Sequence, residues 1–210
     1  MNPELLALSI IVLLFSVIVH EVMHGLTALK FGDHTAERAG RLTLNPLPHI
    51  DPVGTILLPI LLFVTNSPIM FGWAKPVPVN PLNFTDLRKG EFLVSIAGIL
   101  SNLALALIAA VIYHILRNFG APFLVMETLF FMVQINILLA IFNFIPIPPL
   151  DGSKVLMSQL PYKLAKEYQK FEAYGFIVLL MLWFIPVGGT SLLGFILRAG
   201  TSFFMRVFGF

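Results

Sequence analysis

Residues 5–29 read LLALSIIVLLFSVIVHEVMHGLTAL, and how this stretch is read decides the fold. Apart from Ser9 and Ser16 it is apolar up to Val19, then carries His20-Glu21-Val22-Met23-His24, and turns apolar again at Leu26. Twenty-five such residues are long enough to cross a bilayer as a helix with some tilt. A helix places positions i and i+4 on one face, so His20 and His24 can converge on one cation, with Glu21 beside them as a general base. Charged and ionisable groups are costly in such a segment and mark a functional site by default. An accidental HExxH arises in about a few per thousand chains of this composition. Histidines placed by chance would also favour the polar loops.

The rest of the composition agrees with a membrane setting. The chain is 58% hydrophobic and only 11% charged, against about 25% charged residues in a soluble domain. A net charge of +2, spread through loops, is too small to suggest a nucleic-acid partner, and none is expected. With no cysteine, neither disulfides nor thiolate zinc are open to it, so any metal falls to His, Asp or Glu. Met1-Asn2-Pro3-Glu4 lacks the basic start of a signal peptide, so the first segment is expected to stay in the mature protein.

Further along, residues 40–46 alternate briefly and suggest a short strand near Arg41 and Leu44. Residues 53–64 are apolar but too short for a span and read as a re-entrant piece. Residues 71–81, FGWAKPVPVNP, are denied helix by their prolines and read as an extended loop or edge strand. Residues 92–116 and 123–144 are spans joined by a tight hairpin. Residues 153–172 are charged, 173–187 form a short span, and 190–210 are either a packed span or an interfacial helix. If 53–64 dips in and returns, every Lys and Arg from Lys30 to Lys170 except Arg117 lies on one side, which the positive-inside rule makes cytoplasmic.

A catalytic zinc takes three protein ligands and keeps a position open. Asp151, followed by Gly152, is the candidate third ligand, read as closing the 123–144 helix. It can reach the depth of His20 and His24 only if that helix runs parallel to the first. His49 and Asp51 are read as structural or gating residues of the re-entrant piece, His114 as interfacial and His34 as solvated. Asn136, seven residues before Asn143 on one helix face, reads as an interhelical hydrogen-bonding residue.

His20-Glu21-Val22-Met23-His24 and Asn143-Phe144-Ile145-Pro146-Ile147-Pro148-Pro149-Leu150-Asp151-Gly152 together resemble the paired signature of the site-2 proteases, zinc metalloproteases that cut within membranes. Gly98-Ile99-Leu100-Ser101-Asn102 is similar to that family's GxxxN element, and 71–81 to a stretch of its compact prokaryotic members. The resemblance implies one zinc ion held by His20, His24 and Asp151, with Glu21 as catalytic base and Asn143 contacting the substrate backbone or oxyanion. Asn102 and Trp73 join Asn143 as substrate-binding candidates.

The expected fold is an all-α polytopic membrane protein forming one domain, 1–210. Its three-helix core is 1–152, with one or two helices in 153–210, and neither a PDZ nor a CBS domain is expected. The expected activity is cleavage within or near transmembrane segments of membrane-anchored regulators or remnant signal peptides, from a cell-membrane protein whose site faces the cytoplasm. Its partners are then a transmembrane helix and the lipid bilayer. Two alternatives stay open: a metal transporter or channel using the same His and Asp groups, and an inactive relative that only binds transmembrane helices.

Overall fold

The computed structural model describes residues 3–65 and 73–210. Among them the helices are α1 (Pro3–Lys30), α2 (Thr35–Arg38), α3 (Leu58–Val64), α4 (Leu87–Arg117), α5 (Phe123–Phe144), α6 (Asp151–Gln159), α7 (Tyr162–Lys170), α8 (Gly175–Phe184) and α9 (Leu192–Val207). Three of these, α1, α4 and α5, are long and apolar enough to cross a membrane, so the chain is an all-α multi-pass membrane protein. Their outer faces expose Ile10, Ile11, Leu107 and Ile108, side chains that lipid tolerates and water would not.

The three long helices pack in mutual contact, with α4 touching both others most extensively. Ser16 of α1 lies level with Asn102 of α4 and Asn136 of α5, while His24 lies level with Val94. Successive contacts thus run backwards along α4, and α1 is antiparallel to α4 and parallel to α5. Ala106, Ala109 and Ala110 of α4 pack on Val133 and Ile137 of α5. Such small side chains let two membrane helices approach closely, gaining van der Waals contact where no hydrophobic force acts.

Some boundaries differ from those expected. Helix α5 is as expected, but α4 starts at Leu87 rather than 92, because the Asp86 carboxylate caps it by accepting from the Lys89 N–H at 3.1 Å. Asp151 does not close α5. That helix stops at Phe144 ahead of Pro146, Pro148 and Pro149, and Asp151 is the first residue of α6. The strand expected at 40–46 is absent; the segment bends, and Arg41 turns its side chain to another loop.

Strands occur, among the described residues, only as β1 (Pro186–Val187) and β2 (Thr190–Ser191). These pair antiparallel around Gly188 and Gly189, whose φ values of 56° and 82° suit a two-residue turn that side chains would strain. Helix α8 has ten residues, about 15 Å, so the short span expected over 173–187 cannot cross alone. Helix α9 returns antiparallel along α5. A Cβ on Gly200 would lie 2.8 Å from Ile141 Cδ1, and Phe204 and Phe208 join the α4–α5 core.

Between α1 and α4, Asp51 caps a π-helical turn (Pro52–Leu57) that runs into α3. Phe71 and Gly72 lie outside the described residues. At Trp73 the chain is back where the helical piece began. The Trp73 N–H donates to Gly54 O at 3.1 Å, the Thr55 hydroxyl donates to Trp73 O at 2.7 Å, and the Lys75 N–H donates to His49 O at 2.9 Å. Leaving and returning at one level is the geometry of a re-entrant piece.

Candidate metal centre

One helical turn separates His20 from His24, and their rings stand almost perpendicular at 89° with Nε2 atoms 2.9 Å apart. Asp151 Oδ2 approaches both Nε2 atoms at 3.1 Å. All three residues are at most 8% exposed. The approach depends on two glycines. A Cβ on Gly98 of α4 would sit 2.5 Å from the His24 ring and 2.6 Å from the His20 ring. One on Gly152 would collide with the Phe144 carbonyl, so α6 can start against the end of α5 only with glycine there. These close approaches bring the ligand atoms of residues 20, 24 and 151 within 4.8 Å of one another.

Hydrogen bonds fix which nitrogens carry protons. The Asn136 amide donates to the Met132 carbonyl at 2.9 Å and to the Ser16 hydroxyl oxygen at 2.8 Å, so its Oδ1 faces Asn102. Asn102 Nδ2 donates to that oxygen at 2.9 Å, which turns Asn102 Oδ1 toward His20 Nδ1 at 2.6 Å. His20 must therefore be protonated at Nδ1. His24 Nδ1 faces the Val94 carbonyl at 2.7 Å and must donate as well. In neutral imidazoles both Nε2 atoms then present lone pairs to the Asp151 carboxylate, whose buried Oδ2 has no hydrogen-bond partner. Three converging lone pairs with no proton between them suit a divalent cation, and two histidines with one carboxylate suit zinc.

The site opens into a cleft lined by Glu21, Val77, Ser95, Asn143, Lys154 and Tyr168 among others. Glu21 Oε2 accepts the Val77 N–H at 2.7 Å. The Asn143 amide donates to Leu139 O at 3.0 Å and reaches the cleft from the last turn of α5. Two substrate-binding candidates belong elsewhere. Trp73 does not line the cleft; its ring covers Gly54 at the mouth of the re-entrant piece. Asn102 is fully buried and holds His20 through its side-chain oxygen, outside the cleft lining.

Outside the cleft, His49 Nε2 pairs with Thr43 O at 2.9 Å, Asp51 caps its helix, and His34 pairs with Glu37 at 2.7 Å. Ser16 is the residue that reading the sequence passes over. Its signal was a polar side chain four residues before His20, on the same helix face.

Two comparisons bear on this centre. The model of "Peptidase family M50" matches residues 121–185, covering Asn143 to Gly152 but not His20 to His24. Two relatives carry the name "Putative zinc metalloprotease". YwhC of Bacillus subtilis (strain 168) is 38% identical over 211 residues, spanning 98% of this chain and 92% of its own. Rip2 of Mycolicibacterium smegmatis is 29% identical over 175 residues, spanning 82% of this chain and 65% of its own. No solved structure matches the chain.

Proposed function

The chain belongs to peptidase family M50, the site-2 proteases, and is a zinc metalloprotease; from that premise we propose that it cuts peptide bonds within or near transmembrane segments. Its substrates would be membrane-anchored regulators or remnant signal peptides. The observation that carries the reading is the meeting of α1 and α6: two imidazoles and a carboxylate at 3.1 Å, beside Glu21, in a cleft among membrane-grade helices.

In this reading His20, His24 and Asp151 hold the zinc. When bound, zinc supplies Lewis-acid activation of water and of a peptide carbonyl at neutral pH. The Glu21 carboxylate takes the proton from water and returns it to the departing amine. The Asn143 amide donates to the oxygen that gains negative charge, where one donor is typically worth about 3 kcal/mol. Asn102 and the Val94 carbonyl keep each imidazole lone pair directed at the centre.

A substrate helix must unwind before its carbonyls are accessible. Residues 73–79 are extended beside Glu21 and could pair with the unwound stretch by strand addition. Every Lys and Arg from Lys30 to Lys170 except Arg117 would lie on the side that carries the site, which supports a cytoplasmic orientation in the cell membrane.

The test is Glu21→Gln, purified in detergent beside the wild type and incubated with a tagged transmembrane helix. Removing a general base costs about 10²- to 10⁴-fold. The expected outcome is retained zinc with cleavage reduced at least a hundredfold, about the lower limit of that range. Cleavage by the variant at the wild-type rate contradicts the reading.

A further inference from the structure

Resting on the assignment of Glu21 as base, we infer that Arg41 is a positioning residue for that carboxylate, acting through the backbone of residues 75–77. Pro76 and Pro78 have no N–H, so the segment Pro76-Val77-Pro78 holds a single donor, that of Val77. That donor goes to Glu21 Oε2 at 2.7 Å. A bond to a charged acceptor is stronger than one between neutral groups, and it fixes the direction in which the carboxylate faces.

Ties on its N-terminal side hold that donor. Arg41, only 6% exposed, donates from one guanidinium nitrogen to Lys75 O at 2.7 Å and to Pro76 O at 3.2 Å. A single side chain thus bridges two successive carbonyls immediately before the Val77 N–H. The Lys75 N–H is tied in turn to His49 O at 2.9 Å. Val77 itself sits against Gly25, next to His24, where an added Cβ would come within 2.9 Å of Val77 Cγ1. Together these contacts set the distance between loop and helix at the turn that carries the base.

Arg41 is neither a metal-ligand candidate nor itself a lining residue of the cleft; it acts on the cleft only through the carbonyl of Pro76, which is one. Removing it leaves zinc binding intact and lets the 75–77 backbone drift, so Glu21 loses its fixed direction. The expected signature is a fall in kcat with little change in KM. Loss of a charge-assisted bond of this kind is expected to lower the rate roughly tenfold.

The experiment compares wild type, Arg41→Ala, Arg41→Lys and a chain in which Val77 is replaced by its α-hydroxy acid. That last change turns the Pro76–Val77 amide into an ester, which deletes the N–H and weakens the Pro76 carbonyl that Arg41 holds. Each is assayed for zinc content and for kcat and KM on a detergent-solubilised, tagged transmembrane helix, with Glu21→Gln as control. The expected results are about one zinc per chain throughout, kcat lowered about tenfold in Arg41→Ala and in the ester chain, and partial recovery in Arg41→Lys. An ester chain with wild-type kcat overturns the inference even if Arg41→Ala fails to fold. So does a loss confined to KM. If Glu21→Gln is inactive while the ester chain is not, the base assignment stands and this inference falls.

Discussion

The two ends of the three-helix core both carry histidine on apolar helices, yet they use it differently. At one end His20 and His24 turn their Nε2 atoms toward a buried carboxylate. At the other, His114 of α4 directs Nε2 to the Phe208 carbonyl at 2.7 Å, and its ring packs beside Tyr113 and Phe210. The latter ring ties the C-terminal residues to α4 and faces no second ligand. What equips an imidazole to hold a metal here is the set of groups around it: a buried acceptor opposite Nε2 and a carbonyl oxygen that takes the Nδ1 proton. Placement on an apolar helix is common to both ends and does not distinguish them, although His20 and His24 are buried and His114 only half-buried.

The sharpest way to strain this contrast is to cut the chain of amides behind His20. Asn136→Leu leaves Asn102 without its partner and frees His20 to rotate or change tautomer. Loss of such outer partners typically weakens metal affinity about 10- to 100-fold. A chelator competition on the purified protein should read that drop, and an unchanged affinity would mean the network serves packing alone.

A smaller effect is expected at Asp33, which closes the loop end of the bundle. Burial opposes its charge, but the Thr35 hydroxyl and amide, the Asn80 N–H and the Asn83 amide donate to it and hold its carboxyl below the ordinary value. Its folded value is therefore lower than its unfolded value of about 3.9. The stability it contributes is complete above the unfolded value and is lost as pH falls through the folded one. Asp33→Asn should lower the melting temperature near neutral pH and flatten its decline toward pH 3–4, roughly the carboxylate range. A variant with the wild-type acid profile would remove Asp33 from that role.

The smallest effect belongs to the other histidine. His114→Phe keeps the aromatic contacts and deletes one hydrogen bond to a carbonyl, worth about 1 kcal/mol. Zinc content and cleavage should stay at wild-type levels, with only a slight loss of thermal stability. Zinc loss in that variant would erase the distinction between the two ends.

Much of this was legible in the chain itself. HExxH inside residues 5–29 located the first two candidate ligands because helical spacing alone brings i and i+4 together. Asp151 was legible as a candidate ligand but was placed on the wrong helix, because 145–150 can be read as a frayed end of α5 until the glycine contact at 152 is seen. The strand at 40–46 failed because its alternation reflects where Arg41 and Leu42 must face rather than a ladder. Asn102 and Ser16 could not be assigned from spacing, since their roles depend on a three-helix crossing that only packing defines. The Val77 contact to Glu21 joins residues 56 positions apart and left no local trace.

The most direct test concerns the cation itself. Wild type and Asp151→Asn, purified side by side, should be compared for zinc per chain by elemental analysis. Coordination by His20, His24 and Asp151 predicts about one zinc in the wild type and a value near background in the variant. Equal zinc in both would show that the carboxylate is not a ligand and would contradict the centre described above.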